Sequence, residues 1–164
     1  MKRILVAGSL GILVLVAAAL VLGEPTIVKT TATVWADEGA GCSLATAAGN
    51  WAFTNSGTVV GIGPRAAVGK FTLDEEGNLV NGVATSSLNG SIADETFYGT
   101  YTVNHDCTGT INVRIFVSGT EIFAVTGNTA FDEKMEELRG LFTSVVEPNG
   151  TSLPTVITLD SRRQ

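Results

Sequence analysis

The stretch Thr110-Ile111-Asn112-Val113-Arg114-Ile115-Phe116-Val117 sets the reading of the chain. Ile111, Val113, Ile115 and Val117 fall on one side and Asn112 and Arg114 on the other, the period of two that a strand shows when one face is buried. Outward from it, runs rich in Val, Ile, Thr, Phe and Tyr recur at intervals of about eight to twelve residues, with glycine-bearing turns between them. Candidate strands cover 51–56, 67–73, 79–86, 95–103, 110–117, 121–126, 141–146 and 156–160. Phe71 pairs with Leu73 on one strand face, and Phe97 with Tyr101 and Val103 on another. Asp74-Glu75-Glu76-Gly77-Asn78, Asn89-Gly90, Asn104-His105-Asp106 and Asn149-Gly150 supply the turns, with Gly77 free to take the positive φ of a tight reversal. The expected body is all-β: a small closed antiparallel barrel of about eight strands, closure removing the edges an open sheet would expose.

One segment departs from the pattern. Phe131, Met135 and Leu138 in 129–140 stand at helical spacing, Thr129 and Asp132 resemble a capping box, and Gly140 can end a helix. These signs predict one short helix near the C-terminal third, with Glu133, Glu136 and Glu137 on its wet face.

The 164 residues carry a net charge of −6, and the first three dozen hold much of the apolar excess. Lys2 and Arg3 precede an uncharged run from Ile4 to Leu22, an N-terminal hydrophobic export helix. Val34-Trp35-Ala36 before Asp37 has the small-x-small form of a cleavage site, so 1–36 is read either as a cleaved signal peptide or as a retained membrane anchor. Residues 37–48 follow as a linker and 49–164 as the barrel domain. Ala40-Gly41-Cys42 suggests a lipidated cysteine, but Gly39 stands where Leu is expected. In either main reading the body is exported, to the periplasm or the exterior, and the membrane is touched only through 4–22 if that run is uncleaved. After residue 36 there remain seven basic and fifteen acidic side chains, a net charge of −8 that disfavours nucleic acid and anionic membranes. Cys42 and Cys107 are the only cysteines, and in an oxidising compartment they are read as one disulfide.

Gly49-Asn50-Trp51 at the first strand and Arg162-Arg163 at the last resemble the ends of calycin barrels, the lipocalins and their relatives. That resemblance implies a structural role for Trp51, Arg162 and Arg163, an arginine stacking on the indole to close one mouth. The run Phe97-Tyr98-Gly99-Thr100-Tyr101-Thr102-Val103-Asn104-His105-Asp106-Cys107-Thr108-Gly109-Thr110 is more specific. With Ala67-Val68-Gly69-Lys70-Phe71 and Gly77-Asn78 it resembles small exported bacterial proteins of unassigned role, similar to allene-oxide-cyclase-type barrels. The likeness covers 49–126 and implies a barrel more firmly than an activity.

Little in the residues points to chemistry. His105, the sole histidine, lies in a predicted turn. Asp94 and Glu95 point to opposite faces of one strand, and no hydrolase, metalloprotease or nucleotide motif occurs. No catalytic residue, metal site or cofactor is assigned. Candidate inward residues are Phe53, Phe71, Phe97, Tyr101, Ile115 and Phe123, which either fill a core or line an apolar pocket. An enclosed interior of ~300 Å³ or more favours binding, a filled one a structural role. The leading expectation is an exported, non-enzymatic barrel binding a small apolar ligand. The alternatives are a cyclase or isomerase using Tyr101 or Glu95 as polar contact, and a membrane-tethered interaction module. Mass measurement of the exported protein separates tethered from free: we expect a mature N-terminus near Asp37, and an intact 1–36 segment restores the tether.

Overall fold

The computed structural model describes residues 41–164. The export helix, its cleavage site and residues 1–40 lie outside the described residues. Eight strands follow one short helix: α1 (Leu44–Ala47), β1 (Gly49–Val59), β2 (Gly63–Leu73), β3 (Asn78–Leu88), β4 (Ser91–Val103), β5 (Thr108–Val117), β6 (Thr120–Phe131), β7 (Glu137–Val146) and β8 (Thr155–Arg163). Each pairs antiparallel with the next and β8 returns to β1, giving a closed barrel with no free sheet edge. All eight strands expected from the alternation are present, each longer at one or both ends. The shortfall lay in residues that are neither apolar nor strictly alternating.

Alternation places the core as anticipated. Ile111, Val113 and Ile115 are buried on β5, Phe71 and Leu73 on β2, and Phe97 and Tyr101 on β4. Small residues on the inward face let the strands coil tightly rather than leave space. A Cβ added at Gly69 would collide with the Val83 carbonyl, and one at Gly99 with that of Asn112, so neighbouring backbones occupy the room.

The segment 129–140 is not a helix. β6 runs to Phe131, a turn covers 132–136, and β7 begins at Glu137. Asp132 Oδ1 accepts from the backbone N–H of Glu136 and of Glu137, both at 2.7 Å, while Met135 turns the chain with φ 55°. Phe131 and Leu138 are direct partners across the hairpin, and Met135 is buried with them. A hairpin thus brings together residues whose spacing imitates one helical face, and its backbone is paired by the ladder.

The one helix among the described residues lies instead at Leu44–Ala47, within the stretch read as linker. Ser43 caps it: its Oγ accepts from Thr46 N–H at 3.2 Å, and Thr46 Oγ1 accepts from Ser43 N–H at 2.9 Å. Cys42 and Ala47 are buried, and the Cys42–Cys107 disulfide ties this segment to the β4–β5 turn. α1 therefore plugs the barrel end formed by the start of β1 and the end of β8, termed the lower end below. The crosslink spans 65 residues of sequence. Replacing both cysteines by serine is expected to lower unfolding free energy by ~4 kcal/mol in denaturant titration while the β-type circular dichroism persists. Unchanged stability would show that the plug holds without it.

Candidate functional site

Trp51 is fully buried at the lower end, its ring edge-on to Phe131 with centroids 6.0 Å apart. Its indole Nε1–H donates to the Ala47 carbonyl at 3.0 Å. Arg163 is the cross-strand partner of Trp51, and its guanidinium reaches over the mouth. There Nη1 donates to the Thr46 carbonyl at 3.0 Å and Nη2 to the Ala48 carbonyl. The arginine's hydrogen bonds thus go to carbonyls at the end of α1, groups a short helix leaves without intrahelical partners. Arg162 points the other way, pairing with Glu137 at 2.7 Å on the exposed outer face.

Tyr101 also belongs to the lower end. Its hydroxyl donates to the Asp74 carbonyl at 2.5 Å, with the Leu44 carbonyl at 3.2 Å. Burial, together with the charges of Asp74, Glu75 and Glu76, pushes its hydroxyl up to about 12.

Above this end Phe53, Phe71 and Phe97 form an aromatic trio, with ring centroids 5.6 to 6.3 Å apart. They form one wall of an interior chamber of about 40 Å³, lined further by aliphatic side chains such as Ile115 and Val125. Of the anticipated inward residues, Phe53, Phe71, Phe97 and Ile115 line this chamber, whereas Tyr101 and Phe123 are buried without lining it. The volume holds roughly three waters, far below the ~300 Å³ of a ligand pocket, so the aromatics chiefly pack one another.

Three polar residues complete the lining. Arg65 and Glu95 form a buried bidentate pair, Nη1 to Oε1 at 3.0 Å and Nη2 to Oε2 at 2.8 Å. Ser86 Oγ donates to Glu95 Oε1 at 2.7 Å from the adjacent strand. Asn55 is buried and its Oδ1 accepts from no group among the described residues. The alternation signal reaches all three. Asn55 continues the inward face of Trp51 and Phe53, Arg65 that of Ala67 and Phe71, and Glu95 that of Phe97 and Tyr101. Arg65 escaped because the expected strand began at 67, and Asn55, inside the expected strand 51–56, because the inward candidates were sought among apolar and aromatic residues. Asp94 is exposed and bonded to Thr85, on the opposite face from Glu95 as anticipated.

No protein-family model matches the sequence, and no curated protein matches it. Among solved structures, EF1p2_mFAP2b bound to DFHBI is similar at 16% identity with a TM-score of 0.52, covering 74% of this chain and 97% of its own. A redesigned β-barrel, mFAP1, bound to DFHBI is 17% identical with a TM-score of 0.48, over 74% and 98%. The S-type phycobiliprotein lyase CPES from Guillardia theta is 9% identical with a TM-score of 0.44, over 74% and 90%. The first of these supports a small β-barrel fold, and at that identity it speaks to fold alone.

Two outcomes follow from this geometry. Glu95→Gln leaves a buried guanidinium without its counter-charge and is expected to cost about 3–5 kcal/mol in denaturant unfolding. The double change Arg65→Met with Glu95→Leu should recover most of that loss, and a double variant as unstable as the single one would refute the account. Ultraviolet titration should show one tyrosine ionising only near pH 12. Because folding holds the Tyr101 hydroxyl neutral, its contribution is complete below the ordinary tyrosine range and disappears as pH rises through about 12. Tyr101→Phe removes that late step.

Proposed function

We propose that this protein is an exported, non-enzymatic barrel that holds one compact, largely apolar guest in the chamber between the aromatic trio and the Arg65–Glu95 pair. The observation that carries this reading is the lining: aromatic and aliphatic walls meeting an acceptor, Asn55 Oδ1, that has no partner among the described residues. Buried polar groups are rarely left so without a partner that comes from outside the chain. The plug closes the lower end, so a guest enters from the opposite end. At rest the chamber admits only a few atoms, and a ring-sized guest requires the trio to yield. That reorganisation subtracts from affinity and favours small guests over long lipids.

The ionisable groups support binding over catalysis. Glu95 is the one carboxylate in the lining among the described residues; Oε1 accepts from Arg65 and Ser86 and Oε2 from Arg65, so its position is set by its wall partners. The cyclase or isomerase alternative loses its other polar contact, because the Tyr101 hydroxyl is committed to main-chain carbonyls at the lower end. The disulfide fits an oxidising compartment, in keeping with export.

Melting the protein against xenon, benzene and five-membered heterocycles tests the reading. A saturable rise of several degrees is expected, since a guest at a hundredfold excess over Kd stabilises by about 2.7 kcal/mol. Phe53→Ala, which widens the chamber, should bind ring-sized guests more tightly. No shift in either protein would remove the binding function.

A further inference from the structure

We propose that Asn55 makes the chamber selective for guests carrying one N–H or O–H donor, its Oδ1 accepting that hydrogen bond. This rests on the reading of the chamber as a guest site and goes beyond it by naming the chemistry recognised. The residue sits mid-strand on β1, its side chain nine-tenths buried and lining the void, and its acceptor is unpaired among the described residues. The neighbouring polar groups are directed elsewhere. Arg65 directs Nη1 and Nη2 at Glu95, the Ser86 hydroxyl hydrogen is given to the same carboxylate, and none of these groups bonds Asn55.

The charge pair shapes the selectivity a second way. Its guanidinium and carboxylate neutralise each other within the lining, so the chamber has no net charge with which to bind an ion. A charged guest would give up its hydration for walls that return little. The chemistry recognised is therefore a neutral, compact molecule with an apolar body and a single donor: a small alcohol, a phenol or an N–H heterocycle. A donor-less isostere leaves Asn55 Oδ1 buried beside an apolar edge and loses affinity on that account.

Pyrrole and furan isolate this interaction, since they are near-identical rings that differ in an N–H donor against a ring oxygen. Titration of each into the full barrel, followed by amide chemical shifts, gives the two dissociation constants. Pyrrole is expected to bind about tenfold more tightly than furan, a factor equivalent to ~1.4 kcal/mol. Asn55→Leu, which keeps the side-chain volume and removes the acceptor, should bring the ratio to about one. The wild-type ratio carries the test alone if that variant fails to fold. Equal binding of the two rings, or tighter binding of furan, overturns the selectivity while leaving the chamber a binding site. Where the native chamber admits neither ring, the same ratio is read in Phe53→Ala. If neither ring binds there, the guest-site reading itself falls.

Discussion

Three successive carbonyls hold the molecule together at one point. Those of Thr46 and Ala48 accept from Arg163, and that of Ala47, between them, accepts from Trp51. The two donors are cross-strand partners from the first and last strands, so the seam that closes the barrel is also the clamp that seats the plug. A helix of four residues has no stability of its own, since nucleation alone exceeds what one turn returns. Its existence depends on the Ser43 capping box, on these carbonyl contacts and on the disulfide at its other end. With that end sealed, the interior above it is cut off from the side where the plug lies.

That interior is organised by polarity along its length. The lower end is tied through main-chain carbonyls, the middle is packed with aromatic rings, and beyond them lies a charge pair with both partners satisfied. A buried ion pair adds little net stability compared with apolar residues of the same volume, because desolvation offsets most of the attraction. Its retention at Arg65 and Glu95 therefore calls for a reason other than strength. The pair fixes the arrangement of β2, β3 and β4 through Ser86 and, among the described residues, leaves Asn55 as the one unpaired acceptor lining the chamber. A uniformly apolar filling would pack this volume without providing such a contact.

Strand existence and parity were legible because period-two alternation survives wherever one face is buried, as in Ile111, Val113 and Ile115. Two features were not. Phe131, Met135 and Leu138 match a helical stripe, yet the same three residues satisfy a hairpin whose turn is held by the Asp132 carboxylate. Spacing alone cannot separate the two, since both bring those side chains together. The plug was invisible for a different reason: its residues, Leu44 to Ala47, are too few to show periodicity, and part of its stability comes from Arg163, more than a hundred positions away. The aromatic lining was readable at Phe53, Phe71 and Phe97, whereas the polar lining required following the inward face past the point where apolar residues stop.

The seam between β1 and β8 joins residues as distant as Trp51 and Arg163, nearly the whole length of the domain. A chain leaving the ribosome has β1 early but acquires its second neighbour only with the final strand. Until then one edge of β1 stands open, and the plug lacks the arginine that holds it. Long-range pairings of this kind are slow to form. The emerging polypeptide thus carries an unprotected strand through most of its own synthesis, and its assembly completes in a single late step that shuts the sheet and locks the stopper together.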